Sequence, residues 1–140
     1  MPIIDASVLV AAVRSEEAQH TAARAWLESA LRDEAPLIAP AILLSEVGGA
    51  IGRSTGREDL AHRIIHAIET QQAIELAPIT VTLASAAAHL AADLGLRGAD
   101  AIYVALAVQS REVLVTLDRE LVERGGGVVL VQSPEAALGT

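Results

Sequence analysis

The chain has 140 residues, enough for one domain that buries a core of its own, and its net charge of −8 argues against a general nucleic-acid binder with a basic footprint. All ten basic residues are arginine, which excludes a P-loop lysine and Schiff-base chemistry. The absence of cysteine excludes disulfides, thiolate metal sites and a cysteine nucleophile.

Trp26 and Tyr103 are the only aromatic residues, so the core must be aliphatic, which suits close packing of helices on a sheet. Residues 2–5 (PIID) read as a short buried strand, followed by a helix over 6–13. The segment lacks a basic start and is interrupted by Asp5, so it is not read as a signal peptide. Residues 16–31 form an amphipathic helix with Ala22, Ala23, Trp26, Leu27 and Ala30 on one face, broken by residues 33–36. A strand over 37–39 follows. Pro40 then opens a helix that passes through Glu46 and fades at Gly48-Gly49 or Gly52. A helix over 57–71 and a strand over 74–76 come next. Thr80 or Thr82 caps an alanine-rich helix that stops at Gly95. Residues 100–110 are apolar almost all round, as in a buried helix. A strand over 112–116, a short helix over 118–124, a glycine turn over 125–127 and a strand over 128–131 complete the pattern. Residues 133–140 read as a loose tail beyond a single domain spanning 1–132. The longest apolar run in the later part of the chain, residues 101–108, is too short to cross a bilayer, so a soluble cytoplasmic protein is expected.

Short, continuously apolar strands alternating with helices indicate an α/β fold: a three-layer α/β/α sandwich with a five-stranded parallel sheet. Ligands of such sheets gather beyond the carboxyl ends of the strands, near a switch in strand order. Asp5 ends the first strand and Asp118 follows the fourth, while Glu46 and Asp100 sit on helices that can face the same edge.

These four acidic residues lie in or beside apolar segments, where a bare charge is costly unless paired, hydrogen-bonded or bound to a cation. Each also has a plainer reading. Asp5 can cap the helix after it, with Ser7 two residues on able to hydrogen-bond a carboxylate; Asp100 can favour a helix N-terminus; Asp118 can cap a short helix. Glu46 is harder to explain away, because its helical neighbours Ile42, Leu43, Gly49 and Ala50 are apolar or small. A shared Mg²⁺ or Mn²⁺ would account for all four, since hard cations prefer carboxylate oxygens and can support phosphodiester hydrolysis. His62 and His66 have zinc-pair spacing, but Arg63 stands where a zinc-protease helix needs glutamate, and the surroundings are charged. His89 reads as packed or exposed rather than catalytic.

The segments IIDAS, SEV, LGLRGADAIYVALA and VTLDREL, in that order and spacing, give nearly the whole chain a resemblance to the PIN-domain nucleases. Within them it is similar to the VapC-type toxins of toxin–antitoxin pairs. The resemblance implies strand order 3-2-1-4-5 and a Mg²⁺- or Mn²⁺-dependent endoribonuclease that cuts structured RNA such as tRNA or rRNA. It also implies a homodimer restrained by a cognate antitoxin. Carried over, Asp5, Glu46, Asp100 and Asp118 match the acidic, metal-holding catalytic site, and Ser7 and Thr116 match its polar supports. Arg14, Arg53, Arg97 and Arg119 are the candidates for contacts with RNA phosphate or antitoxin carboxylates. Two other readings stay open: a PIN nuclease of routine RNA processing, and a non-catalytic α/β interaction module.

Overall fold

The computed structural model describes residues 1–139. Its elements in chain order are β1 (Ile3–Ile4), α1 (Ala6–Val13), α2 (His20–Arg32), β2 (Leu37–Pro40), α3 (Leu43–Thr55), α4 (Glu58–Thr70) and β3 (Ile74–Ala77). Then follow α5 (Val81–Leu94), α6 (Gly98–Ser110), β4 (Leu114–Val115), α7 (Arg119–Gly125), β5 (Val131–Gln132) and α8 (Pro134–Leu138).

The strands form one parallel sheet in the order β3-β2-β1-β4-β5. Ile3 pairs with Ile38 on one side and Leu114 on the other, so β1 is central and both its residues are fully buried. Parallel crossovers are right-handed, so the leftward steps through β2 and β3 place α1–α4 on one face. The rightward steps through β4 and β5 place α5–α7 on the other. The packing agrees: α1 lies against α2 and α3, and α3 against α4. On the opposite side α6 lies against α5, α7 and the three inner strands. The expected three-layer sandwich is therefore present. Its strand order reverses between β1 and β4, the position where such sheets open a crevice.

Several boundaries differ from expectation. α2 starts at His20 rather than residue 16, because Arg14 pairs with Glu16 and Glu17 and the His20 ring bonds the Ala11 carbonyl, which holds 14–19 as a turn. Pro40 ends β2 instead of opening a helix. The backbone N–H groups at 37 and 41 face β3 and that at 38 faces β1, so the Pro40 nitrogen faces β1 where pairing has already stopped. α3 does not fade at its glycines but runs to Thr55, ending at left-handed Gly56. A Cβ at Gly48 would sit 2.8 Å from Ile65, so this glycine lets α3 and α4 approach closely, and packing outweighs its weak helix propensity. α6 begins two residues ahead of Asp100, and β5 covers 131–132 rather than 128–131. Gly125 is the buried last residue of α7 rather than part of a turn. Residues 134–138 are helical, capped by Ser133 and docked on α2, not a loose tail. Among the described residues no helix is long and apolar enough to cross a membrane.

Candidate active site

Asp5 leaves the carboxyl end of β1 and is 5% exposed, a position where an ionised carboxylate needs donors. It stands at the N-cap position of α1, yet its side chain makes no cap hydrogen bond. Ser7 Oγ donates to Oδ1 at 2.6 Å, and the fully buried Thr116 Oγ1 donates to Oδ2 at 2.5 Å. Ser7 Oγ in turn accepts the Leu117 N–H at 3.0 Å, and Thr116 Oγ1 accepts the Asp118 N–H at 3.0 Å. One small network thus joins the ends of β1 and β4, the two strands at the switch point. Burial pushes the Asp5 carboxyl up to about 6, against the lowering effect of the Ser7 and Thr116 hydroxyls and the Val8 amide, with the Asp118 charge adding to the rise.

Asp118 is half-buried and accepts the Glu120 N–H at 2.9 Å, so it does cap α7. Asp100 lies in the first turn of α6. Its carboxyl is raised first by burial and then by Asp118, with Glu46 and Glu120 adding; Arg97, 3.9 Å away, opposes them. Glu46 lies in the first turn of α3 and accepts a 2.5 Å hydrogen bond from the Tyr103 hydroxyl of α6. The Asp118 charge bears on Asp5, and those of Asp118 and Glu46 bear on Asp100, so carboxylates from four elements lie within electrostatic reach of this edge. Among the described residues, however, no three histidine, aspartate or glutamate side chains are grouped closely enough to hold one ion together. Asp5, Asp118 and Glu46 each have oxygens turned toward donors of the chain itself.

Beside the cluster opens a groove of about 700 Å³ between α1, residues 17–19 and α3. Ser7 and Glu46 line it along with Leu117 and Arg53, whereas Asp5, Asp100 and Asp118 do not. The Arg53 guanidinium folds back over Gly49, where a Cβ would lie 2.9 Å from Nη1, and it makes no ion pair among the described residues. Arg97 is exposed and lies near Asp100 and Glu120, and it does not line the groove. Arg119 is exposed at the start of α7. Arg14 is not brought to the groove: it faces a separate hollow and is engaged by Glu16 and Glu17. His62, His66 and His89 are exposed and belong to no metal-binding group among the described residues. Tyr103 was not legible as a site residue, since its position in an apolar helix reads as core.

A family model described as the PIN domain matches residues 3–127. The chain belongs to the PIN-domain family. The fold is similar to that of Mycobacterium tuberculosis VapC20, described as a toxin that cleaves the sarcin–ricin loop, with a TM-score of 0.78 and 18% identity over 94% of this chain and 99% of that one. The FitAcB crystal structure from Neisseria gonorrhoeae matches with a TM-score of 0.69 and 19% identity over 96% of this chain and 98% of that one. PAE2754 from Pyrobaculum aerophilum matches with a TM-score of 0.72 and 25% identity over 98% of this chain and 85% of that one. No curated protein sequence matches significantly. The family match spans the positions of Asp5, Glu46, Asp100 and Asp118.

Proposed function

We propose that this PIN-domain protein is a metal-dependent endoribonuclease and the toxin of a toxin–antitoxin pair, hydrolysing structured RNA such as tRNA or rRNA. The observation that carries the reading is the gathering of Asp5, Glu46, Asp100 and Asp118 at the sheet's switch point with little compensating positive charge. Burial and neighbouring carboxylates raise the proton affinity of Asp5 and Asp100, and a hard dication bound there relieves that cost. These four residues would hold Mg²⁺ or Mn²⁺, with water completing the set. The ion supplies charge that activates water and offsets the charge developing on the phosphodiester.

The protein's own groups supply the rest. Ser7 and Thr116 fix both oxygens of Asp5, so the carboxylate is aimed before substrate arrives. Arg53, on the groove wall and without an ion pair among the described residues, binds an RNA phosphate, and the exposed Arg97 and Arg119 add phosphate contacts. Attack by water leaves 5′-phosphate and 3′-hydroxyl ends. The partners in this reading are a cognate antitoxin and a second copy of the chain, in the cytoplasm. Similarity to the VapC20 and FitAcB folds, and to a toxin–antitoxin complex from Klebsiella pneumoniae, supports it.

The test is controlled expression of wild type and Asp5→Asn with mapping of RNA ends. Growth arrest and new 5′-phosphate ends with wild type alone are expected. Equal effects from both proteins, or 2′,3′-cyclic phosphate ends, overturn the reading. A non-catalytic interaction module is favoured by one observation, that Asp5, Glu46 and Asp118 already have hydrogen-bond partners within the chain. Unchanged Mn²⁺ binding by Asp5→Asn and Asp100→Asn in calorimetry would establish that module instead.

A further inference from the structure

Tyr103 is the only tyrosine of the chain and, at 1% exposure, the largest of its fully buried side chains. It stands in a largely buried helix, among Ala101, Val104, Ala105, Leu106 and Ala107. Packing alone is served equally well there by a ring without a hydroxyl, since a buried O–H costs free energy unless it finds a partner. The hydroxyl does find one, 57 positions away on another helix: Oη donates to Glu46 Oε1 at 2.5 Å. Glu46 itself is only half-buried and lines the groove, with three rotatable bonds between its backbone and its carboxylate. Among the described residues this is its single side-chain hydrogen bond, and no arginine pairs with it.

We propose that Tyr103 is a positioning residue: from beneath the site its hydroxyl binds one Glu46 oxygen and holds the carboxylate over the groove, leaving the second oxygen to face the cation and the RNA. The inference rests on the reading of Glu46 as a site residue. A glutamate free to swing would lose side-chain entropy each time it ligated, and the Tyr103 bond removes that cost in advance. α6 then contributes to the site twice, through Asp100 in its first turn and through Tyr103 one turn further along.

Tyr103→Phe keeps the ring and deletes only the hydroxyl. Three-bond couplings of the Glu46 side chain, measured by NMR without metal, should report one χ1 rotamer in wild type and averaged rotamers in Tyr103→Phe. This readout does not depend on whether the chain cuts RNA, and unchanged couplings overturn the proposal. Mn²⁺ calorimetry should show about a 10-fold loss of affinity in Tyr103→Phe, with kcat on RNA falling by a similar factor and KM nearly unchanged. Glu46→Gln provides the separating control, because its amide oxygen still accepts the Tyr103 hydrogen bond while its charge is gone. It should keep one rotamer and lose Mn²⁺ affinity. If wild type and Glu46→Gln bind Mn²⁺ alike, the metal reading of the site fails, and the couplings still decide the role of Tyr103. A drop in melting temperature with unchanged couplings and Mn²⁺ affinity would make Tyr103 purely structural and reject the inference.

Discussion

Asp5 shows what burial does to a single carboxyl. In the metal-free folded protein burial pushes its carboxyl up to about 6, whereas the unfolded chain releases that proton near the ordinary value of 3.8. Between those values the folded state binds more protons than the unfolded one. Asp5 therefore favours folding at low pH, and that contribution is lost as pH rises through 6. The gap corresponds to about 3 kcal/mol. Asp5→Asn should flatten stability between pH 4 and 7 in denaturant titrations with chelator present, and should make the protein more stable than wild type at pH 8. An equal slope in both proteins would mean that burial does not govern this group. Arg53 poses the opposite problem, a cation with no carboxylate to hold it among the described residues. Arg53→Ala should raise KM for RNA several-fold with kcat nearly constant. It should also lower the slope of log affinity against log salt by about 1, as expected for one lost phosphate contact.

At the scale of elements, one residue can serve both a helix and a site. Asp118 was open to two readings, a cap and a catalytic carboxylate, and its structural half is plain: it caps α7 through the Glu120 N–H. Asn caps as well as Asp but carries no charge. Asp118→Asn should therefore melt within about 0.5 kcal/mol of wild type, while Asp118→Ala loses about 1 kcal/mol. Both should lose Mn²⁺ affinity in calorimetry if the carboxylate is a ligand. Full retention of binding by Asp118→Asn would leave only the cap. The existence of nearly every element was legible from periodicity and from the Thr80 and Gly95 signals, which are respectively the cap and the left-handed end of α5. Misread boundaries came where tertiary contacts outweigh local preference. α3 continues through its glycines, with Gly48 kept small by the close approach of Ile65 on α4, and the C-terminal segment is helical and docks on α2.

For the whole molecule, crowding like charges at one sheet edge is destabilising in the absence of a counterion. A ligand that binds the folded state alone stabilises it in proportion to the logarithm of its saturation. Mn²⁺ at about 100 times its dissociation constant should add about 2.7 kcal/mol, seen as a higher melting temperature that chelator reverses. The gain should be much smaller in Glu46→Gln. A melting temperature indifferent to Mn²⁺ would speak against a cation site at this edge. The net charge of −8 sharpens the point, because few exposed arginines are free to offset the cluster.

By itself the sequence determined the alternation of strands and helices, and with it the class of sheet. It also offered Asp5, Glu46, Asp100 and Asp118 as candidates, because acidic groups among apolar neighbours stand out in one dimension, whereas Thr116 entered only through the family resemblance. The tertiary structure alone decided that Tyr103 reaches Glu46, that Arg53 faces the groove and Arg14 does not, and that Asp118 caps as well as borders the site. Those outcomes depend on how helices from opposite faces of the sheet meet at its edge, and neither periodicity nor propensity records the direction of a side chain between elements.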